Sequence, residues 1–246
     1  MKAVVFGGTA GIGRAVAQKL AARGDAVFLL GRDEASLTRS AADLTARHPQ
    51  QAGVEWALCD MESPAGFAAA LDAADAALAG VDAVIVTAAM FATQAELEAD
   101  VELTRRLTTA NFANTVTFCE HVRKRLLARG GGWLTVVSSV AGDRGRKPVA
   151  IYGASKAGLS TYLEALDHKF REAGLWVLCV KPGFVKTAMT ANLKAPPFAG
   201  EPDAVARDIV SAMDAKRPLI YTPGIWRLVM LVIKHLPRFV MRKIGF

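Results

Sequence analysis

The sequence predicts an α/β fold in which helices cover both faces of a doubly wound, parallel sheet of seven strands. Short, continuous apolar runs alternate with helical patterns along the chain, as buried parallel strands require. At 246 residues the chain can bury one large core, and we find no linker that would divide it. We therefore expect one domain over residues 1–224, followed by an apolar and basic C-terminal segment over residues 225–246.

The predicted strands start at the N-terminus with the valine-rich run Lys2–Phe6. Six further apolar runs predict strands near residues 26–30, 54–59, 83–87, 133–138, 175–180 and 219–221. Helical patterns lie between most neighbouring runs. Ser63 and Pro64 predict one helix start, with the serine as N-cap, and Gly80 predicts the end of that helix.

A glycine-rich turn follows the first strand, and a helical pattern follows the turn. This order of strand, turn and helix is typical of a dinucleotide-binding Rossmann fold. Gly7 permits a sharp exit from the strand, Gly11 lets a backbone approach a pyrophosphate, and Gly13 lets the helix pack close to the sheet. The alternative is a glycine-rich turn that binds no ligand.

Tyr152 and Lys156 are four residues apart, and Ser139 lies thirteen residues before the tyrosine. On a helix this spacing places the phenol and the ammonium on one face, about 5–6 Å apart at their Cβ atoms. A nearby cation favours phenolate, so we expect a lowered tyrosine pKa and a phenol that can pass a proton to a substrate oxygen. Taken alone, the pair also fits an ordinary amphipathic helix.

The three cysteines, Cys59, Cys119 and Cys179, are widely spaced. They predict buried thiols rather than a disulfide framework or a zinc site, and we expect no metal. We see no signal peptide and no apolar stretch near 18 residues, so we expect a cytoplasmic protein.

These motifs together resemble the short-chain dehydrogenase/reductase family, and the resemblance covers nearly the whole chain. Gly7, Gly11 and Gly13 match its nucleotide loop, and Pro182-Gly183 with Thr187 matches the segment after its sixth strand. The residues that match its catalytic tetrad are Asn111, Ser139, Tyr152 and Lys156. The resemblance implies a cofactor-binding set of Gly7, Thr9, Gly11, Ile12, Gly13, Arg32, Asp60, Ala88, Tyr152, Lys156, Pro182, Gly183, Val185 and Thr187.

The resemblance also implies a role for each member of the tetrad. Tyr152 would be the general acid in reduction, and Ser139 would hydrogen-bond the substrate carbonyl. Lys156 would hold the nicotinamide ribose and lower the tyrosine pKa, and Asn111 would help hold a water in a proton relay. The alternative for Asn111 is a helical asparagine with a structural hydrogen bond. A carbonyl that gains hydride develops negative charge on oxygen, which independently requires donors placed there.

Cofactor choice depends on the end of the second predicted strand. Gly31 stands where an acidic residue would bind the ribose hydroxyls of NAD, and Arg32 can pair with the 2′-phosphate of NADP. We therefore expect NADP(H), with NAD(H) as the alternative if Asp33 reaches the ribose. Asp60 matches the family residue that contacts adenine. The chain departs from the family after the fourth strand, where residues 86–89 read Val-Thr-Ala-Ala in place of Asn-Asn-Ala-Gly.

The net charge of +7 lies entirely in the C-terminal part of the chain. Asp214 is the last acidic residue, and seven cations follow it: Lys216, Arg217, Arg227, Lys234, Arg238, Arg242 and Lys243. Apolar residues separate these cations, and Pro237 predicts two short helices. This pattern predicts peripheral contact of 225–246 with the inner face of an anionic membrane. The alternative is that the apolar residues complete the core or a subunit interface, and nucleic-acid binding is not expected.

A second basic cluster, Arg144, Arg146 and Lys147, lies in the loop between Ser139 and Tyr152. Such a loop cannot move far from the substrate entrance, so these cations either hold a phosphate or remain solvated. The stretch 189–198 predicts a mobile, apolar lid. A basic entrance, an apolar lid and the C-terminal segment together suggest an amphiphilic substrate with an anionic head.

Within the family, the chain resembles the reductases that complete 2′-epimerisation of decaprenylphosphoryl ribose by reducing a 2-keto-pentose. This resemblance is carried by Gly7-Gly8-Thr9, by residues 138–144, 152–159 and 192–196, and by the C-terminal segment. Three hypotheses follow: a reductase of a lipid-linked ketone, a soluble reductase of small or acyl ketones, and an NADP-binding sensor or scaffold without turnover. The resemblance also implies a homo-oligomer built on the helix that carries Tyr152.

Overall fold

The computed structural model describes residues 1–50 and 53–245, and the fold class is confirmed. Within these residues, parallel strands form one sheet in the order β3-β2-β1-β4-β5-β6-β7. The strands are β1 Lys2–Phe6, β2 Ala26–Gly31, β3 Glu55–Leu58, β4 Ala83–Val86, β5 Gly132–Val137, β6 Leu175–Pro182 and β7 Leu219–Thr222.

Helices connect consecutive strands and follow the last one. They are α1 Gly11–Ala22, α2 Glu34–Arg47, α3 Phe67–Leu78, α4 Gln94–Ala99, α5 Val101–Thr108, α6 Thr115–Ala128, α7 Ala150–Phe170, α8 Pro202–Asp214, α9 Ile225–His235 and α10 Arg238–Lys243. A π-helical turn, Thr109–Asn114, joins α5 to α6. Short 3₁₀ turns lie at Pro64–Gly66, Val140–Asp143, Lys147–Val149 and Ala188–Thr190.

Apolar cores lie on both faces of the sheet, as β1 illustrates. Ala3 and Val5 face the side that α1, α2 and α8 cover, whereas Val4 and Phe6 face α3, α6 and α7. Because successive side chains of a strand point to opposite faces, a strand buried on both faces must be apolar at every position. This requirement explains why the positions of the strands could be predicted from continuous apolar runs in the sequence.

The start of α3 differs from its prediction. Ser63 precedes the turn that contains Pro64, but the serine side chain makes no capping hydrogen bond, and regular helix begins only at Phe67. The predicted end is confirmed, because α3 ends at Leu78 and Gly80 follows with a φ of +97°. A left-handed residue after a helix lets its amide reach back to a helical carbonyl. The amide of Gly80 donates to Asp75 O at 2.8 Å.

The strand register brings four strand ends to one edge of the sheet. Phe6 pairs with Val86, Val86 with Val136, and Val137 with Val180. Because every strand runs in the same direction, the segments that follow β1, β4, β5 and β6 leave the sheet at this edge. Ligands of open α/β sheets bind in the crevice outside such strand ends.

The C-terminal segment packs on the body of the molecule at the same edge. Met230 and Ile233 of α9 are buried against Val140, with Trp226 beside them. Pro237 separates α9 from α10, which agrees with the predicted pair of short helices. Within residues 1–50 and 53–245, no helix has both the length and the apolar character needed to cross a bilayer. Phe246, the last residue of the predicted segment, lies outside the described residues.

Candidate active site

The glycine loop after β1 has the geometry of an anion cradle. Gly7 and Gly11 have φ values of +89° and +50°, which side-chain-bearing residues rarely adopt. A Cβ on Gly13 would lie 2.2 Å from the Gly7 carbonyl oxygen, so α1 approaches the strand end only because position 13 has no side chain. Ala10 precedes α1 without a side-chain cap, so the first amides of the helix can bind a pyrophosphate. The loop therefore fits the predicted dinucleotide.

Thr87 and Ala88 hold this loop from the end of β4. The Thr87 hydroxyl donates to Phe6 O at 3.0 Å and to Gly7 O at 3.3 Å. The Ala88 amide donates to Phe6 O at 3.1 Å. Thr87 thus ties β4 to the glycine loop in the segment where the chain departs from the family pattern. Thr87 is not among the predicted site residues, although its position directly after a central strand was a usable signal.

The segment after β6 closes over the glycine loop. The Thr187 methyl group lies 3.1 Å from the position that a Cβ on Gly11 would take. The Thr187 amide donates a hydrogen bond to Thr190 Oγ1 at 3.0 Å, which fixes the position of Thr187. Pro182 ends β6, and buried Val185 forms an isolated bridge with Gly200. This segment and the glycine loop therefore line one crevice. Ile12, by contrast, is half-buried and packs against the core beneath the loop.

Ser139, Tyr152 and Lys156 meet beside that crevice. Tyr152 lies in the first turn of α7 and Lys156 one turn later, with the ammonium nitrogen 5.8 Å from the centre of the phenol ring. Lys156 Nζ donates to Val137 O, at the end of β5, at 3.1 Å. Ser139 begins the 3₁₀ turn after β5, where its Oγ accepts from Ala141 N at 3.0 Å. Phe91 packs edge-on against the Tyr152 ring at 5.4 Å.

Burial dominates the protonation of Tyr152 and Lys156. It raises the pKa of Tyr152 to about 12, although a hydrogen bond with Ser139 acts in the opposite direction. It also lowers the pKa of Lys156 to about 8. The prediction of a lowered tyrosine pKa is therefore wrong for this structure, because the loss of phenolate hydration outweighs the opposing hydrogen bond with Ser139. A phenol with this pKa keeps its proton at neutral pH, as a general acid must.

Asn111 is fully buried in the π-helical turn. Its Oδ1 accepts from Met90 N and its Nδ2 donates to Met90 O, both at 2.8 Å. The amide side chain therefore fixes the segment after β4 beside Phe91 and Tyr152. This contact corresponds to the structural hydrogen bond that the sequence analysis left open as the alternative.

The predicted adenosine-side residues lie at the ends of β2 and β3. Arg32 is exposed, and its nearest carboxylate is that of Glu62 at 3.9 Å. Asp33 caps α2 by accepting from Ser36 N at 2.8 Å, so its carboxylate is already engaged. Asp60 follows β3 and accepts from Glu62 N at 3.0 Å. The end of β2 therefore presents Gly31 and the exposed Arg32, while the next carboxylate, that of Asp33, caps α2.

A cavity of about 190 Å³ lies next to Gly31, and most of the residues that line it were not predicted from the sequence. A Cβ on Gly31 would lie 3.7 Å from the Thr9 methyl group, and Thr9 lines this cavity. The remaining lining residues are Arg14, Ser36, Arg39 and Ser40. Arg39 Nη2 donates to Ser36 Oγ at 3.1 Å. The spacing of Ser36, Arg39 and Ser40 on α2 could not by itself predict this cavity, because only the fold brings these residues to Thr9.

The C-terminal helices contact three segments of the site. Trp226 lies against Gly183, since a Cβ added to Gly183 would be 2.0 Å from the indole nitrogen. The same nitrogen donates a hydrogen bond to Phe198 O, at the end of the predicted lid, at 3.2 Å. Met230 packs on Val140, directly after Ser139. The segment 225–245 is therefore part of the wall of the site.

Comparison with known proteins agrees with this geometry. A family model described as short chain dehydrogenase matches residues 1–197. An uncharacterized oxidoreductase of Streptomyces coelicolor is 33% identical over 243 residues, which cover 98% of this chain and 94% of that protein. Carbonyl reductase family member 4 of Xenopus tropicalis is 28% identical over 220 residues, 86% of this chain and 90% of that protein. A crystal structure of an actinorhodin polyketide ketoreductase variant with NADPH superposes with a TM-score of 0.80 at 24% identity, covering 89% and 94% of the two chains.

We expect Gly13→Ala to weaken dinucleotide binding at least tenfold, because the new methyl group would press against the Gly7 carbonyl and the Thr87 hydroxyl. Equilibrium titration with NADPH measures the effect. Gly66→Ala is the matched control, since a Cβ at that position meets no atom of the described residues within 4 Å. Equal affinity in the Gly13 variant and the wild type would contradict the close approach of loop and helix.

Proposed function

Because this chain belongs to the short-chain dehydrogenase family and is an NAD(P)-dependent oxidoreductase, we propose that it uses NADPH to reduce a ketone on an amphiphilic or lipid-linked substrate. A polyprenyl-phosphate 2-ketosugar is the substrate type that we favour. The observation that carries the proposal is the placement of the Tyr152 phenol beside Ser139 and Lys156, since reduction requires a proton donor at the substrate oxygen.

Each side chain of the site has a distinct role in this proposal. NADPH supplies the hydride when it is bound. Tyr152 donates its proton to the carbonyl oxygen as negative charge develops there, and Ser139 donates a hydrogen bond to the same oxygen. Buried Lys156, whose ammonium is oriented by Val137 O, binds the nicotinamide ribose hydroxyls and stabilises the tyrosine anion left after proton transfer. Asn111 positions the segment that carries Phe91.

The choice of NADPH rests on the cavity beside Gly31. A 2′-phosphate is an anion with several acceptor oxygens, and the guanidinium of Arg39, the hydroxyls of Ser36 and Thr9, and nearby Arg32 supply matching donors. Asp33 is occupied as the cap of α2, which weakens the alternative in which it binds the NAD ribose. Gly7, Gly11, Gly13, Ala88, Asp60, Pro182, Gly183, Val185 and Thr187 complete the proposed cofactor-binding set.

The amphiphilic substrate is supported by the outer face of the C-terminal helices. Four apolar side chains of this segment are each more than half exposed, namely Leu228, Leu231, Val232 and Phe239. The cations of the same segment have no acidic neighbours along the sequence, because Asp214 is the last acidic residue. An apolar face flanked by cations suits an anionic bilayer surface, so we propose that residues 225–246 bind the inner face of the membrane. A homo-oligomer is also part of this proposal.

A second candidate function is a soluble reductase of small or acyl ketones. The burial of Met230 and Ile233 against Val140 favours it, because these contacts give α9 a structural role without any membrane.

We expect Tyr152→Phe to reduce NADPH-dependent ketone reduction by about a thousandfold while it leaves NADPH affinity within a few-fold of wild type, because only the proton donor is lost. Steady-state oxidation of NADPH is followed with a polyprenyl-phosphate ketosugar and with simple long-chain ketones. Turnover of the phosphorylated lipid alone supports the first candidate function, and turnover of simple ketones alone supports the second. Full activity in the phenylalanine variant would remove Tyr152 as the general acid.

We expect Arg39→Gln to weaken NADPH binding roughly 10- to 100-fold, because a charge-assisted hydrogen bond to phosphate contributes about 1.5–3 kcal/mol. NADH binding should change little, since NADH has no 2′-phosphate. Fluorescence titration with both cofactors gives the ratio. Arg105→Gln on α5 is the control, because its guanidinium is exposed and paired with Glu102. A parallel loss of NADPH and NADH affinity would show that Arg39 does not read the 2′-phosphate.

We expect the double substitution Leu228→Glu with Val232→Glu to lower partitioning onto phosphatidylglycerol vesicles at least tenfold, because it places two carboxylates on the proposed membrane face. Cosedimentation measures the bound fraction. Val101→Glu is the control, since Val101 is also exposed but lies at the start of α5. If the wild-type protein does not bind the vesicles, the membrane proposal is wrong.

A further inference from the structure

The three cations in the loop between Ser139 and Tyr152 have different surroundings. Arg144 Nη2 donates to Leu236 O at 2.8 Å, and Lys147 Nζ donates to Arg242 O at 2.6 Å. These two side chains therefore hold the carbonyl groups at the C-terminal ends of α9 and α10. Positive charge at such an end is favourable, because the last carbonyls of a helix lack partners within it. Two of the three cations thus have a structural explanation.

Arg146 has no such explanation. Its Nε is buried and has no hydrogen-bond partner among the described residues, which include every residue from 53 to 245. Asp143 is the carboxylate that acts on it electrostatically. That carboxylate already accepts from Lys181 Nζ and from the Tyr221 hydroxyl, both at 2.6 Å. The buried Nε therefore lies in the field of a carboxylate that already accepts two other hydrogen bonds.

Such a group is unfavourable in the free protein. Burial opposes its charge and lowers the pKa of Arg146, while Asp143 offsets this only in part. A buried polar atom without a partner in a folded protein requires an explanation, and an absent ion or ligand is one such explanation. An anion that reached this guanidinium would satisfy both its charge and its unused hydrogen bond.

The loop that carries Arg146 lies next to the site residues Ser139 and Tyr152. The loop is fixed at one end by Ser139, whose Oγ accepts from Ala141 N, and at the other by the start of α7. Ile151 N, in that first turn, donates to Gln94 Oε1 of α4 at 3.2 Å, and Lys147 is tied to α10. Arg146 therefore lies in the short segment that separates the carbonyl-binding serine from the tyrosine, between α4 and the C-terminal helices.

We propose that Arg146 is the anion-binding residue of the substrate site and that it pairs with a phosphate group on the substrate. This inference rests on the proposed function, which it deepens by assigning the charged group of the substrate to one side chain. A guanidinium is suited to this task, because its planar fork of donors matches two phosphate oxygens. Arg144 and Lys147 shape the entrance by holding the C-terminal helices.

Binding of farnesyl phosphate and farnesol tests the proposal without any turnover. The two probes share one apolar chain and differ only in the phosphate. Calorimetry of the wild-type protein should give at least tenfold tighter binding of farnesyl phosphate, Arg146→Gln should abolish this preference, and Arg146→Lys should retain part of it. Arg105→Gln is the control for a lost surface charge. An unchanged preference in Arg146→Gln would overturn the proposal.

Competition with inorganic phosphate distinguishes a lipid phosphate from free phosphate. Competition that disappears in Arg146→Gln would assign free phosphate as a ligand of this guanidinium. Its absence, together with tight binding of farnesyl phosphate, would assign the phosphate ester of an amphiphile.

Thermal unfolding separates ligand binding from a structural role. Without ligand, Arg146→Gln should melt at the wild-type temperature or above it, because the variant loses a buried Nε that has no hydrogen-bond partner among the described residues. A melting temperature several degrees lower would show that the guanidinium stabilises the loop, and the proposal would fail. If the wild-type protein binds farnesyl phosphate through Arg146 but reduces no ketone, the proposed function fails, whereas the assignment of Arg146 as an anion-binding residue stands.

Discussion

The contact between the glycine loop and the start of α1 is the constraint on which the rest of the site depends. Gly13 brings the helix against the Gly7 carbonyl, Thr87 bonds the same carbonyl from β4, and Thr187 closes over Gly11 from β6. Each contact requires the strand ends to lie at one edge, which only the parallel arrangement provides. The crevice is therefore a property of the whole sheet rather than of the glycine motif alone.

The features that were predictable from sequence are those that depend on local pattern. Doubly buried strands must be apolar at every position, so their runs located the sheet, and the predicted strand 54–59 differs from Glu55–Leu58 by only one residue at each end. The four-residue spacing of Tyr152 and Lys156 was sufficient to place both side chains on one face of α7. Proline at 237 likewise divides the C-terminal helices.

The features that were not predictable depend on contacts between distant segments. Arg39 meets Thr9 only because α2 packs beside the glycine loop, and Asn111 reaches Met90 from within a π-helical turn. Spacing indicated that an ammonium lies near the Tyr152 phenol, but it could not show how far the fold removes the partly buried phenol from water, and this desolvation decides the direction of its pKa shift. Electrostatic surroundings are a tertiary property, and local sequence does not encode them.

The indole of Trp226 gives the last part of the chain an unexpected importance. The family model ends at residue 197, yet the indole occupies the space beside Gly183 and hydrogen-bonds Phe198 O. One side chain beyond the matched region thus joins the segment after β6 to the end of the predicted lid. A chimera that kept residues 1–197 and took its remaining residues from a relative would exchange one wall of the site, and with it the shape that the site presents to a substrate.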